Sequence, residues 1–567
     1  MLDVEAFLES RYPDFWHRRP HLARPLARAL RLLFHEREFR QFEAQWPHLT
    51  GFDFVEQVLD HFQFRYAVRD DERERIPARG RVVVVANHPI GSLDGLALLR
   101  LVRSVRRDVK VVANEVLSTI APLVPLLLPV DNLGGHTERR RLEAIRRHLE
   151  GDGALILFPA GEVSRLGFKG IRDGRWRSGF LRLAASVDAP IVPVHVDGRN
   201  SALFYALSFL ARPLSTLWLV REMFKQAKNC VDVRIGEPIR PATLASTGLS
   251  LAEQAELFRR HVYRIGRDRP GILPSEAAIA HPEDRALLRE ELSDCPVLGH
   301  TPDGMRIYLF HHRPDSAVMR EVGRLREIAF RAVGEGTGQR RDLDRFDPHC
   351  EHLLLWDEKA LEIVGAYRLR DAGRAEAGDL YTATLFHLEP GLEARLPQAL
   401  ELGRSFVQPR YWGRRSLDYL WHGLGAYLRA NPRFRYLFGP VSLSGKLPRA
   451  ALELLVHFYE VHFPPPEPLA RAHLPFSIPP ERRQALALQF PGRNYREEFV
   501  RLKEALAPMG LTVPTLYKQY TEVSEPGGAS FAAFNVDPAF SHCVDGLILV
   551  DLHRLEESRR RRYLKVP

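Results

Sequence analysis

Between residues 81 and 240 the chain alternates two hydrophobic patterns. Short, continuous apolar runs read as buried strands: "VVVVAN" (82–87), "VKVVAN" (109–114), "ALILFPAGE" (154–162), "PIVPVHV" (190–196) and "VDVRIGEPI" (231–239). Between them, "LDGLALLRLVRSV" (93–105) and "TERRRLEAIRRHLE" (137–150) carry apolar positions at helical spacing. A run that is apolar at every position suits a sheet covered on both faces. Its alternation with helices predicts a layered α/β fold with a largely parallel sheet. Residues 1–75 show helical spacing throughout, and "SLAEQAELFRRHVYRI" (250–265) predicts another helix. The breaker "GRDRPGILP" that follows places a domain boundary near 270, giving domains 1–270 and 271–567.

A second α/β pattern begins near 304. Strands are predicted at "MRIYLFHH" (305–312), "HLLLWD" (352–357), "EIVGAYRLR" (362–370) and "ALELGRSFV" (399–407). Helices are predicted at "AVMREVGRLREIAFRAV" (317–333) and "LDYLWHGLGAYLRA" (417–430). Strands outnumber helices, so the sheet should be mixed. Near 463, "FPPPEPLARAHLPF" reads as an extended connection. A C-terminal extension with the strand-like "GLILVDLHRL" (546–555) closes the chain.

Composition adds three points. At 45% hydrophobic and 27% charged, 567 residues make an ordinary globular chain of more than one domain. The formal charge of +10 points to an anionic partner, whether nucleic acid, anionic lipid or an acidic carrier protein. The four cysteines are far apart and form no cluster with histidine at metal spacing, so reduced thiols, no metal and no bound cofactor are expected. The first twenty residues lack the basic segment and apolar core of a secretory signal, and no apolar run is long enough to span a bilayer. The stretch 201–220, "SALFYALSFLARPLSTLWLV", is the best candidate to lie on a membrane. Phe204, Leu207, Leu210 and Leu217 would face lipid, and Arg212 and Arg221 would reach the headgroups; the alternative is that the stretch packs against the sheet.

The candidate chemistry starts at "ANHPIGSLDG" (86–95). His88 falls in a tight turn between a strand and a helix, with Ser92 or Asp94 available to cap that helix. A histidine beside a carboxylate in a cleft is a general-base arrangement, though a lone strand-end histidine is more often structural. Three further strand ends carry polar turns: "FPAGEVSR" (158–165) with Gly161, Glu162, Ser164 and Arg165; "VPVHVDGRNS" (192–201) with Asn200; and "VDNLGG" (130–135). Such turns are what a cleft at the carboxyl edge of a sheet requires. In the second domain Arg326, Phe330, Asp344, Asp347, Glu401 and Arg404 stand beside apolar strand segments, either as structural ion pairs or as a site. Glu401 and Arg404 would bracket a strand start and face opposite ways unless a bulge intervenes.

The order of the blocks over 80–240 resembles the glycerolipid acyltransferases, the lysophospholipid acyltransferase family. That resemblance implies that His88 is the general base, Asp94 its orienter, and a thioester the acyl donor. The histidine–aspartate spacing is one residue longer than the family's. Ala160 and Val163 replace a glutamate and an arginine in the phosphate-gripping block. Both departures resemble the subgroup of hemolysin-like and ornithine-lipid O-acyltransferases, and imply an acceptor without a glycerol phosphate. Over 305–445, R-x3-F, D-x-F-D, V-G-x-Y-R-L and E-L-G-R-S resemble GNAT-like N-acyltransferases of the ornithine-lipid and acyl-homoserine-lactone synthase type. There Gln408 to Gly413 is too long for the usual pyrophosphate loop, which fits an acyl carrier protein as donor. Together the resemblances imply N-acylation of an amino acid such as ornithine, with lysine, glutamine and glycine also open, by a 3-hydroxyacyl group, then O-acylation of the lyso-lipid hydroxyl. They also imply monotopic attachment at the inner face of a bacterial membrane, in the cytoplasm, with no nucleic-acid partner. The rival expectation is a hemolysin-like phospholipid O-acyltransferase carrying an inactive GNAT-like domain.

Overall fold

The structure is a computed structural model that describes residues 5, 9, 13–33, 35–130, 139–167, 170–210 and 212–564. The chain divides into two compact units, Met1–His281 and Pro282–Pro567. Residues 271–281, from the end of the breaker onward, pack on the first unit. Leu273, Ala278 and Ala280 are buried there, and His281 Nε2 lies 2.9 Å from the Ile76 carbonyl oxygen.

The first unit is built on strands β1 (Arg65–Ala67), β2 (Val82–Ala86), β3 (Val109–Asn114), β4 (Leu127–Val130), β5 (Ala154–Leu157), β8 (Ile191–Asp197) and β9 (Cys230–Ile235), in the order β1-β9-β8-β2-β5-β3-β4. A separate hairpin, β6 (Arg165–Gly167) and β7 (Gly170–Arg172), stands between β5 and β8 in the chain. Every sheet pair is parallel except β8–β9. The valine run explains the core. Val82, Val84 and Ala86 enter one apolar cluster and Val83 and Val85 enter another, so β2 is covered on both faces. Strand β1 interrupts the helical segment expected over 1–75, and β5 ends at Leu157, earlier than its apolar run suggests.

β2 is central. The order runs through β5 on one side and β8 on the other, so the carboxyl ends of all three strands meet around one point. In parallel sheets such a reversal of strand order opens a crevice at the carboxyl edge.

The second unit carries an eight-stranded mixed sheet in the order β10-β11-β12-β13-β15-β16-β19-β18. Its strands are β10 (Val297–His300), β11 (Met305–His311), β12 (Glu351–Asp357), β13 (Glu362–Asp371), β15 (Ala399–Val407), β16 (Tyr436–Leu443), β18 (Ala529–Asp537) and β19 (Cys543–Asp551). The short strands β14 (Phe386–Leu388) and β17 (Ala470–Ala472) pair separately. Only β15–β16 is parallel, and it is hydrogen-bonded only over 399–401 against 436–438. Beyond Glu401 the two strands splay. Gly439 sits at that point with φ +154°, and a Cβ there would stand 2.1 Å from the Leu402 carbonyl oxygen. The helix Ala317–Ala332 covers one face, and Ser416–Ala430 lies on the cluster formed by the other.

Candidate functional site

His88 follows β2 by two residues. Its neighbour Asn87 bridges to β8, donating to the Val196 carbonyl at 2.9 Å and accepting from the Val196 N–H at 2.7 Å. The helix Ser92–Arg103 begins at once, with Gly91 as its N-cap rather than Ser92 or Asp94. Asp94 sits one turn inside that helix and is fully buried. Its Oδ2 accepts from the N–H groups of Ile90 (2.8 Å) and Gly91 (3.2 Å), and its Oδ1 stands 2.9 Å from His88 Nδ1. With Nδ1 turned to the carboxylate, Nε2 is the nitrogen left to work. Burial alone would depress the histidine pKa. The charge and hydrogen bond of Asp94, with the charge of Asp173, outweigh burial and raise it. The ring packs on Phe158 with centroids 4.2 Å apart.

The other expected residues gather around this turn. Asn200 donates to the carbonyls of Pro89 (3.3 Å) and Ile90 (3.2 Å). Ser164 donates its N–H to the His88 carbonyl at 2.7 Å and its hydroxyl to Asp173 at 2.5 Å. Gly161 turns the chain at φ +67°. Glu162 and Arg165 pair with each other at 3.0 Å, and Arg165 also donates to the Ser208 hydroxyl. Ala160 and Val163, the two departures in this block, are buried apolar positions. Residues 131–135 of "VDNLGG" lie outside the described residues. Phe204, expected to face lipid, is fully buried against Val163 and Tyr205, because its helix Ala202–Leu210 packs that side inward.

Sequence reasoning missed Asp173. This buried carboxylate accepts from the Ser164 hydroxyl, the His88 N–H (3.2 Å) and Trp176 Nε1 (2.9 Å), and so ties the second block to the histidine turn. It lies 85 residues from His88 in an unremarked "IRDGRW" segment, with no local signal of its contacts.

In the second unit the expected residues divide. Arg326 pairs with Asp347 at 2.8 Å, both buried, and Arg368 bridges Asp344 (2.7 Å) and Asp347 (3.4 Å). Arg404 pairs with Asp342 at 3.0 Å and with Asp344 at 3.5 Å, and donates to the Tyr381 hydroxyl at 3.0 Å. Burial opposes ionisation of Asp347, but Arg326 and Arg368 hold its pKa below the usual carboxylate range. Burial pushes the Tyr381 phenol up to about 12. Glu401 stands apart from this network. Its carboxylate accepts from the Thr382 N–H (2.7 Å) and hydroxyl (2.6 Å), and from the Tyr381 N–H at 3.4 Å. Neither residue brackets a strand start, since both lie inside β15. A bulge opposite Ala366–Arg368, with Arg404 at φ +47°, lets both reach the 381–382 segment. Asp342, Arg368 and Tyr381 were not anticipated.

The splay between β15 and β16 opens a cavity of about 60 Å³. Gly403, Arg404 and Ser405 line it from β15, Val441 and Ser442 from β16, and Phe330, Tyr381, Phe540 and Asp545 from around it. Among the described residues, no group of three or more His, Cys, Asp or Glu side chains is arranged to hold a metal ion.

The histidine–carboxylate pair at one sheet's carboxyl edge and the polar cavity of the splayed mixed sheet are the two candidate sites, and the similarities to known proteins make the chain an acyltransferase. Residues 13–268 match the Acyltransferase family, and residues 325–422 match the Acetyltransferase (GNAT) domain. The chain is 32% identical over 305 residues to a glycine N(alpha)-acyltransferase of Bacteroides thetaiotaomicron, covering 51% of this chain and 89% of that protein. It is 29% identical over 272 residues to a lyso-glycine lipid O-acyltransferase of the same organism, covering 47% of this chain and 97% of that protein. It is 32% identical over 264 residues to an L-ornithine N(alpha)-acyltransferase of Rhodobacter capsulatus, covering 44% of this chain and 92% of that protein. The chain belongs to the family of these N(alpha)-acyltransferases, and its GNAT unit is preceded by a unit that matches the Acyltransferase family.

Proposed function

We propose that the chain makes an amino-acid lipid in two steps. The second unit joins the α-amine of ornithine to a 3-hydroxyacyl group delivered by acyl carrier protein: the C–N bond forms, the thioester C–S bond breaks, and the carrier's thiol leaves with the amine's proton. The first unit then esterifies the 3-hydroxyl of that lyso-lipid with a second acyl group. One observation carries the two-step reading: a single chain aligns with a glycine N(alpha)-acyltransferase over 89% of its length and with a lyso-glycine lipid O-acyltransferase over 97% of its length, and ornithine as the amino acid is supported by the 32% identity to an L-ornithine N(alpha)-acyltransferase.

In the ester step, His88 Nε2 takes the proton from the lyso-lipid hydroxyl as its oxygen attacks the thioester carbonyl. A C–O bond forms, the C–S bond breaks, and the imidazolium returns the proton to the leaving thiolate. Asp94 holds the ring and favours its charged form. The acceptor has a carboxylate and no phosphate, which suits apolar Ala160 and Val163 where a phosphate grip would need donors. In the amide step, the splay between β15 and β16 receives the thioester, and Arg404 with Tyr381 faces the amino-acid carboxylate. Glu401, whose carboxylate is occupied by Thr382 and Tyr381, positions that wall. Trp412, Arg414 and Arg415 are exposed just before the helix Ser416–Ala430 and suit the acidic surface of a carrier protein. No described helix is long and apolar enough to cross a membrane. We place the enzyme peripherally on the inner face of the bacterial membrane, in the cytoplasm, where its lyso-lipid would partition.

Expression of the chain alone in a bacterium without amino-acid lipids tests this by lipid mass spectrometry. Mono- and diacylated ornithine are expected. Altered phospholipids with no acylated amino acid would overturn the reading.

A further inference from the structure

Charge does not balance around the cavity of the second unit. On the Arg404 side, three arginines meet three carboxylates: Arg326, Arg368 and Arg404 against Asp342, Asp344 and Asp347. Asp545, Glu335 and Asp537 form a second acidic group, and among the described residues none of them has an ion-pair partner, although the charge of Arg404 reaches Asp545. Asp545 lines the cavity and is 6% exposed, and its carboxylate is met only by a long contact of 3.5 Å from the Cys543 thiol. Glu335 accepts from the hydroxyl of Ser442, itself a cavity residue, at 2.8 Å. Asp537 accepts the Ala539 N–H at 2.9 Å. Burial pushes both Asp545 and Glu335 up to about 7, with Asp537 and Glu335 adding to the shift at Asp545. A buried carboxylate without a cation is costly, and an ammonium arriving beside it removes that cost.

We propose that Asp545, backed by Glu335, selects the acceptor of the amide step by binding the side-chain ammonium of a diamino acid such as ornithine. This rests on the N-acyltransferase reading above. Arg404 and Tyr381, which line the same cavity, take the α-carboxylate. Glycine brings no second cation and leaves the acidic side unmatched. Norvaline, which is ornithine without its terminal amine, keeps the three-carbon side chain but brings no cation, and fails in the same way.

The test uses the full chain, a 3-hydroxyacyl thioester of acyl carrier protein, and ornithine, norvaline and glycine as acceptors. Wild type should favour ornithine over norvaline by about a hundredfold in kcat/KM, chiefly through KM, the scale of one buried charge-assisted hydrogen bond. Asp545→Asn, close to isosteric, should cut that ratio to below about tenfold. Glu335→Gln, which keeps an acceptor for Ser442, should lower it by a smaller factor. A wild-type ratio near one, or a preference for glycine, overturns the inference while leaving the N-acyltransferase reading intact. So does an Asp545→Asn enzyme that loses ornithine and norvaline in equal proportion, because the carboxylate would then serve the shared α-amine. If the folded wild type acylates no amino acid, the N-acyltransferase reading itself fails. Should Asp545→Asn not fold, the wild-type ratio and Glu335→Gln decide the matter.

Discussion

His88 owes its character chiefly to one carboxylate. Its pKa lies above the ordinary imidazole value because Asp94, with the charge of Asp173 added, more than offsets burial. A general base acts only when neutral, so ester formation should rise with pH as His88 loses its proton, with a midpoint above 6.5, the ordinary histidine value. Asp94→Asn removes the charge that raises the pKa and leaves the burial that lowers it. The acid limb should therefore move to lower pH while the plateau rate falls. His88→Ala should lower ester formation by about 10²–10⁴-fold and let the monoacylated lipid accumulate. Product ratios by mass spectrometry across a pH series check all three, and a limb that moves to higher pH in Asp94→Asn would sink the assignment. Asp173 gives a second residue-scale expectation. Asp173→Ala strands the buried Trp176 N–H and the His88 N–H, and should destabilise the first unit by about 2–4 kcal/mol. Urea unfolding measures this.

At the scale of elements, the second site exists because two adjacent strands stop pairing. β15 and β16 share register only over three residues, and Gly439 allows their close approach just before they part. Gly439→Ala would press a methyl group into the Leu402 carbonyl at an unfavourable φ. It should cost about 2–4 kcal/mol in the second unit and abolish amide formation, while supplied lyso-lipid is still esterified. Unchanged denaturant unfolding would show that the strands part for another reason. Elements were legible in the sequence wherever periodicity was strong. The valine run of β2, the 317–333 helix and the alternation of strands follow directly from which faces are buried. The turn that presents His88 was legible too, because a strand end, a histidine and a helix start are all local. What could not be read was contact across distance. Asp173 reaches His88 over 85 residues, the bulge at Arg404 has no sequence mark, and Asp545 comes from the C-terminal extension to line a cavity formed by strands more than a hundred residues earlier. The membrane-facing expectation for Phe204 failed for a related reason. Helical spacing shows that a face is apolar, but not whether protein or lipid covers it.

For the whole molecule, each proposed step makes the next one possible, and the net charge suggests where both occur. Arg404→Ala should remove both lipids, since the ester step has no substrate until the amide is made, and purified lyso-lipid should restore diacylated product. Failure of that rescue in a folded protein would mean that the two activities are not independent. The lyso-lipid is amphiphilic and partitions into a bilayer, so an enzyme that esterifies it gains by sitting there. The helix Ala202–Leu210 still offers a surface for this after Phe204 and Tyr205 turn inward: Leu203 is 49% exposed and Leu207 half-buried. Arg221 stacks on Trp218 at 4.9 Å on the following helix, Arg212–Lys225, and a formal charge of +10 favours anionic headgroups. Leu203→Glu with Leu207→Glu places two carboxylates on that surface without touching the buried aromatic pair. In flotation with anionic vesicles the wild type should rise with the lipid and the double variant should stay behind, with circular dichroism unchanged. Wild-type flotation should weaken as salt is added, because part of the attraction is between exposed charges and screening removes it over about a nanometre at moderate ionic strength. If the double variant floats as well as the wild type, lipid contact is made elsewhere on the chain. If wild-type binding ignores salt, the arginines contribute nothing to it and apolar insertion alone holds the enzyme at the membrane.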